Sequence, residues 1–230
     1  SRYFGDLMAG RLGLEKQSIR HHPNGITLEG FEPQREAPGT PAIGYLARLC
    51  PLKGLDILVD AFLLLKEGGK FPELRLELAG GMTAEDEPFV DEQRRKLRQA
   101  GLSDFSSIKP NIDRKEKLNF LRNLSVFSVP ARYPEAFGLY VVEALAAGVP
   151  VVLPDSGAFP ELVEQTQGGR LYKPNDPGTL CESLESLLVD PEQSKKIGLK
   201  GHDVVAKDFA NESLASRLID NVLSPLQEQT

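Results

Sequence analysis

Hydrophobic positions along the chain follow two alternating periods, which predicts strands and helices in turn. Short apolar runs, either continuous or alternating with polar residues, are typical of strands in a parallel sheet. Between them, apolar residues recur every three or four positions, as in amphipathic helices. The predicted strands cover 41–47, 74–81, 106–110, 124–131 and 149–155. The predicted helices cover 54–69, 85–101, 114–123, 139–147, 175–190, 190–201 and 211–226.

This alternation predicts the fold class. Repeated strand–helix units are characteristic of an α/β protein with a doubly wound, Rossmann-like parallel sheet. The one candidate linker is the Pro- and charge-rich segment 32–41. It separates the α/β body from residues 1–31, which are too few to form a hydrophobic core of their own.

Composition narrows the function classes. The 230 residues are 40% hydrophobic and 26% charged, as expected for a globular protein, and the net charge is −6. That charge argues against electrostatic binding to nucleic acid. Cys50 and Cys181 are far apart in sequence, which favours a reducing, cytoplasmic location. The apolar run 136–154 contains Glu143 and is interrupted by 148–150, so a transmembrane segment is not expected.

Several motifs of other enzyme classes are absent from the sequence. No G-x-G-x-x-G follows a predicted strand, and neither the P-loop pattern nor the G-x-S-x-G elbow occurs. The three histidines, His21, His22 and His202, lie near the two ends of the chain. The sequence therefore indicates neither a histidine metal cluster nor a hydrolase triad. We therefore predict neither a metal nor a cofactor.

Glu143 is the one charged residue inside the apolar run 136–154. A buried charge is costly without a partner, and Arg132 is a candidate for a structural salt bridge. The alternative is a ligand. If a helix covers 139–147, Glu135 lies on the loop before it, and the two carboxylates could bracket an extended polar ligand at the carboxyl edge of the sheet.

Two basic residues are predicted at the same edge. Arg48 and Lys53 follow the first strand, on a loop that ends in a glycine. Each alone would be an ordinary surface charge, but together they suit a diphosphate. The helix start at 138–140 would add free backbone N–H groups, which bind anions without a metal.

These residues together resemble a known family. The stretch EAFGLYVVE (135–143), followed by ALAAGVPVV, resembles the E-x7-E region of the family 4 (group 1) retaining glycosyltransferases. GYLARLCPLKGLDILVDAF is similar to that family's Arg–Lys loop, PDSGAFPELV to its glycine loop, and HPNGI to the entry into its second domain. Ala158 and Phe159 depart from it, because a second glycine and an aliphatic residue are more usual there.

The resemblance implies the C-terminal half of a GT-B glycosyltransferase. Residues 1–36 would be the tail end of a missing N-terminal acceptor domain with the interdomain segment. Residues 37–207 would be the nucleotide-sugar-binding domain, and 208–230 a C-terminal helix. The expected partners are a nucleotide-sugar donor, as substrate, and the acceptor domain, without which this piece would transfer little or nothing. Peripheral membrane association of the whole enzyme stays open.

The resemblance also implies site residues. Arg48 and Lys53 would contact the donor diphosphate and Glu135 the transferred hexose, which makes them the catalytic candidates. Glu143 would bind the ribose, and the loop 109–113 would lie near the base. The donor-binding candidates are Phe137, Gly138, Leu139, Tyr140, Glu143, Lys109 and Asn111.

Two other functions fit parts of the pattern. A non-catalytic sugar-nucleotide-binding module would keep the basic loop and Glu143 but would need no sugar pocket around Glu135. A sugar-nucleotide epimerase of the GT-B fold would need further acid–base carboxylates and histidines, which the sequence does not reveal.

Overall fold

A computed structural model describes residues 1–33 and 38–219 of the chain. It contains a six-stranded, all-parallel sheet with the strand order β3-β2-β1-β4-β5-β6, flanked by helices. The strands are β1 (Ala42–Leu46), β2 (Arg75–Gly80), β3 (Ser106–Pro110), β4 (Val126–Phe127), β5 (Val151–Pro154) and β6 (Gly169–Tyr172). The helices are α1 (Arg2–Leu12), α2 (Leu55–Glu67), α3 (Glu87–Gln99), α4 (Arg114–Arg122), α5 (Leu139–Ala146), α6 (Phe159–Thr166), α7 (Pro177–Leu188), α8 (Pro191–Asp208) and α9 (Asn211–Leu218).

This order is that of the doubly wound Rossmann fold, so the predicted fold class is confirmed. The central strands are buried on both faces, as the continuous apolar runs predicted: every residue of β1 and β5 is buried. The direction of winding reverses between β1 and β4, which are hydrogen-bonded neighbours. Ligands of open α/β sheets bind at such a switch point, beyond the carboxyl ends of the strands.

Four parts of the sequence prediction need correction. β4 is far shorter than the predicted 124–131, because the chain leaves the sheet after Ser128, whose N–H still donates to the Gly44 carbonyl (2.9 Å). The segment read as a glycine loop continues into α6, and β6 was not predicted. Helix α8 runs past the predicted end at 201 to Asp208.

The N-terminal segment packs on the C-terminal helices. Ile26 forms a parallel bridge with Ala210, in which the Ile26 N–H donates to Phe209 (2.9 Å) and the Asn211 N–H donates to Ile26 (3.1 Å). Residues 1–31 therefore find their core contacts on the α/β body, as their small size required. The division at 36/37 and 207/208 stays a prediction; residues 34–37 and 220–230 lie outside the described residues.

Candidate active site at the switch point

The loops after β1 and β4 meet at the carboxyl edge of the sheet. Gly54 has a left-handed backbone (φ 68°), and a Cβ there would lie 1.9 Å from the Pro130 carbonyl oxygen. The Arg132 N–H donates to the Leu52 carbonyl (3.0 Å). Only glycine permits this close approach, which brings the predicted basic loop against the segment that leads to Glu135.

Lys53 and Glu135 form an ion pair at this junction. Their side chains are only 19% and 11% exposed, and the Tyr140 hydroxyl donates to the same Glu135 oxygen, Oε1 (2.8 Å). The Lys53 ammonium also lies 4.9 Å and 5.3 Å from the ring centres of Tyr133 and Tyr140. The catalytic candidates Lys53 and Glu135 thus share one cluster, with two tyrosines around it.

The environment changes the pKa values of this cluster. Burial by itself lowers the pKa of Lys53, but the hydrogen bonds to Glu135 and Tyr133 outweigh it, so the net pKa is raised. Burial, and then the negative charge of Glu135, raises the pKa of the Tyr140 hydroxyl well above its usual value. Tyr140 therefore stays a protonated donor to the carboxylate, while Lys53 stays charged.

Helix α5 begins directly beside this cluster. Gly138 has φ 94° and packs under Phe159, where a Cβ would lie 2.9 Å from its ring. The N–H groups of Leu139 and Tyr140 open the helix, before the first intrahelical bonds can form. The Phe137 side chain is buried and lies 6.0 Å, centre to centre, from the Phe209 ring. Phe137 thus anchors the loop, while the backbone after it points a helix N-terminus into the site.

Arg48 lies on the same loop as Lys53 but pairs elsewhere. Its Nε donates to Asp86 Oδ2 (3.2 Å), which also accepts from the backbone N–H (2.9 Å) and the hydroxyl (2.8 Å) of Thr83. The Thr83 amide, together with Arg48, holds the pKa of Asp86 below its usual value, and the Asp86 hydrogen bond raises that of Arg48. The Arg48 side chain is 53% exposed, so its terminal nitrogens are accessible.

Asn111 and Lys109, which were predicted to lie near the nucleotide base, have different surroundings. The side-chain amide of Asn111 (φ 56°) forms two hydrogen bonds with the backbone of Met82. Its Oδ1 accepts from the Met82 N–H (3.0 Å), and its Nδ2 donates to the Met82 carbonyl (3.1 Å). Lys109 is exposed and lies 3.4 Å from Glu77. Asn111 therefore joins the loops after β3 and β2, and its contact with a base stays a prediction.

Glu143 has a partner that sequence reasoning missed. Its Oε1 accepts from Lys117 Nζ (2.5 Å), and the two side chains are 19% and 23% exposed. The alternative partner, Arg132, is wrong: its guanidinium pairs with Asp56 and donates to the Pro51 carbonyl (3.1 Å). Glu143 lies three residues after Tyr140 in α5, so the two share a helix face. Tyr140 thus contacts one of the two carboxylates, Glu135, and shares a helix face with the other.

Asp86, Lys117 and Tyr133 are further residues of this region that sequence reasoning did not single out. The Asp113–Glu116 capping box was predicted and is present, and it fixes the start of the helix that carries Lys117. The sequence therefore predicted where α4 begins, but it did not predict that Lys117 on α4 pairs with Glu143 on α5. Within the described ranges, no group of three His, Cys, Asp or Glu side chains could hold a metal ion. The prediction that no metal is used stays a prediction.

Comparison with known proteins identifies the family. The sequence model for "Glycosyl transferases group 1" matches residues 29–204. The chain belongs to the glycosyl transferase group 1 family. A curated relative, D-inositol 3-phosphate glycosyltransferase of Mycobacterium sp. (strain JLS), is 31% identical over 176 residues, which cover 73% of this chain and 38% of that protein. The chain spans less than two thirds of the length of this and other curated relatives.

Two solved structures show where this group 1 chain fits. The C-terminal domain of the group 1 family protein LpcC from Francisella tularensis superimposes with a TM-score of 0.71 and 26% identity, covering 81% of this chain and all of that one (100%). Anabaena Alr3699/HepE in complex with UDP-glucose superimposes at 0.78 with 20% identity, covering 93% of this chain and 60% of that one. The fold is that of the C-terminal domain of a GT-B glycosyltransferase.

Regarding membranes, no helix in residues 1–33 and 38–219 combines the length and the apolar character needed to cross a bilayer.

Proposed function

We propose that this domain binds the nucleoside-diphospho-sugar donor of a retaining glycosyltransferase, which transfers a hexosyl group to an acceptor held by a further domain. One observation carries the proposal: Lys53 and Glu135 contact each other at the switch point, beside the N-terminus of α5. Both positions belong to the motifs that define the resemblance. A cation, a carboxylate and free helix amides in one place suit a ligand that carries both phosphate and hydroxyl groups.

Each group has a role in this proposal. Arg48, Lys53 and the first amides of α5 bind the diphosphate. Glu135 exchanges its contact with Lys53 for the hydroxyls of the transferred sugar, while the Tyr140 hydroxyl keeps its hydrogen bond to the carboxylate. Glu143 accepts hydrogen bonds from the ribose, which explains a carboxylate on an otherwise apolar helix.

The chemistry follows from the charge distribution. During transfer, the bond between the sugar C1 and the diphosphate oxygen breaks, and the acceptor oxygen bonds to C1 on the same face. The acceptor's proton passes to the departing diphosphate. Negative charge develops on that diphosphate, so the cations and amides around it stabilise the transition state more than the ground state. In this proposal those groups neutralise the leaving group without a metal.

The proposal extends to the location and the partners. Within the described residues Cys50 and Cys181 are both free thiols, which fits a reducing compartment such as the cytoplasm. The curated relatives are longer than this chain, which supports an acceptor domain elsewhere in the whole protein.

Titration calorimetry tests the donor site. UDP, GDP and ADP, each at up to about millimolar concentration, are titrated into the domain, and one of them should give a saturable heat. A dissociation constant of about 1 mM corresponds to a favourable binding free energy of about 4 kcal/mol. Glu143→Ala should weaken that binding more than Glu135→Ala, because the ribose is present in the ligand and the hexose is not. Glu92→Ala, exposed on α3, is the matched control and should leave binding unchanged.

No heat with any of the three nucleotides would contradict the donor site. The reverse ranking of the two glutamate variants would mean that their roles are exchanged. The longer protein, with its acceptor domain, should transfer or hydrolyse one donor of a broad panel. Binding without any turnover would instead support a non-catalytic sugar-nucleotide module.

A further inference from the structure

We propose that Lys117 reads the ribose of the donor together with Glu143, so that this ion pair selects a ribonucleotide over its 2′-deoxy counterpart. The inference rests on the proposed function and deepens it, because it adds a specificity-determining residue to the nucleotide part of the same site. Lys117 lies outside all the sequence motifs on which the family resemblance is based.

Helix α4 holds Lys117 in a fixed place. At its start, Asp113 Oδ1 accepts from the Glu116 N–H and Glu116 Oε2 accepts from the Asp113 N–H, both at 2.8 Å. On its inner face, Phe120 and Leu121 are buried in the core. Residues three and four apart share a helix face, so Lys117 lies beside these anchors, at the margin of the core.

The ion pair leaves hydrogen-bonding groups free on both sides. Lys117 Nζ bonds Glu143 Oε1 at 2.5 Å, and among the described residues no donor reaches Glu143 Oε2. An ammonium has three N–H donors, of which this contact takes one. The side chains are 23% and 19% exposed, so a ligand can reach them, yet they are shielded from most of the solvent.

Such a pair is complementary to a hydroxyl group. A hydroxyl donates one hydrogen bond and accepts others. It can donate to Glu143 Oε2 and accept from Lys117 Nζ at the same time, and both bonds are strengthened by charge. A carboxylate alone uses only the donating half of the hydroxyl. A site built to bond a hydroxyl rejects the analogue that lacks it, because its polar groups are then left unpaired.

The position of the pair matches the order of groups in a nucleotide. Helix α4 follows the loop 109–113, which is proposed for the base, and α5 begins beside Lys53 and Glu135, which are proposed for diphosphate and sugar. The ribose of a nucleoside diphosphate lies between base and diphosphate. The contact from Lys117 to Glu143 joins α4 to α5 and so lies between these two regions.

The test compares nucleotide pairs by calorimetry. The tightest binder of UDP, GDP and ADP and its 2′-deoxy counterpart are titrated into the wild type and into Lys117→Met. The wild type should prefer the ribonucleotide by about tenfold or more, as expected for hydrogen bonds to charged groups. In Lys117→Met the preference should fall to about threefold or less. Lys117→Arg keeps the charge and donors and should retain most of the preference. Lys115→Met, exposed on the same helix, should retain all of it.

A double variant covers the case in which Lys117→Met does not fold. Lys117→Met/Glu143→Gln has no unpaired carboxylate in this partly buried place, and it should show the same reduced preference. An unchanged preference in both variants would overturn the inference, as would a wild type without preference. Tighter ribonucleotide binding by Lys117→Met would also overturn it, since Lys117 would then compete with the ribose for Glu143. Absence of binding by all three nucleotides would instead refute the proposed function on which the inference depends.

Discussion

Replacing Lys53 with methionine should destabilise the protein through the carboxylate that it leaves behind. The side chains of Lys53 and Glu135 are 19% and 11% exposed, so Glu135 would stay in a place with little water. Among residues 1–33 and 38–219, the Tyr140 hydroxyl would be its one remaining side-chain partner. Removing one partner of a fully buried pair costs about 3–5 kcal/mol. Residual exposure lowers this figure, and each lost cation–π contact adds about 0.5–1 kcal/mol. We expect a net loss of about 2–3 kcal/mol.

Urea unfolding of four proteins measures this contribution. They are the wild type, Lys53→Met, Glu135→Gln and the double variant, whose unfolding free energies form a double-mutant cycle. The double variant removes both charges and should recover part of the loss, giving a coupling energy of about 1–2 kcal/mol. The control is Lys70→Met, which breaks the exposed pair with Glu185 and should cost less than about 1 kcal/mol.

The same variants have a functional readout. Glu135→Gln frees Lys53 from its carboxylate, so a nucleoside diphosphate without sugar should bind this variant at least as tightly as the wild type. The reasoning is refuted if Lys53→Met costs no more than Lys70→Met, or if the coupling energy is below about 0.5 kcal/mol, the limit of additivity for independent sites.

Two further predictions concern the same cluster. In Gly157→Ala the new Cβ would lie 2.5 Å from the Glu135 backbone nitrogen, at a backbone φ of 62°. The variant should therefore bind the donor more weakly, and its free energy of unfolding should fall by about 1–3 kcal/mol. The control Gly101→Ala, with φ 71° but no atom within 4 Å of the new Cβ, should lose stability through backbone strain but keep its binding. The raised pKa of Tyr140 means that its stabilisation is complete below the unfolded pKa of about 10 and is lost as pH rises above it. Urea midpoints between about pH 8 and 11 should therefore fall less steeply in Tyr140→Phe than in the wild type, and equal slopes would contradict this.

The fold was largely predictable because its signals are local. Continuous apolar runs correctly placed β1 and β5, and Asp113 with Glu116 correctly marked the start of α4. β6 escaped prediction because Gly169–Tyr172 is a short edge strand with an exposed arginine, so it has no continuous apolar run. β4 was predicted too long because Val129 and Ala131, which continue its apolar run, are buried outside the sheet.

The site was predictable only in part, because its contacts join distant segments. The rule that parallel strands end at one edge was enough to place Lys53 near Glu135, and the structure shows them in contact. It could not tell that Glu143 pairs with Lys117 rather than Arg132, since that choice depends on how α4 and α5 pack. The chemical roles of these residues stay predictions for the binding measurements.

The charges of this site are already paired in the structure, and this favours one kind of ligand over another. A bare nucleoside diphosphate competes with Glu135 for the Lys53 ammonium. Weakening of that ion pair leaves a carboxylate with little water around it and, among the residues that the structure describes, the Tyr140 hydroxyl as its remaining side-chain partner. Such an unpaired charge is costly. Under the proposed function, an intact donor would bring both a diphosphate for Lys53 and sugar hydroxyls for Glu135, so both groups would exchange one partner for another. On this proposal we expect the domain to bind the intact donor more tightly than the nucleoside diphosphate that would remain after transfer, because the donor would satisfy both ends of the ion pair. It follows that the product should leave as Lys53 and Glu135 pair again.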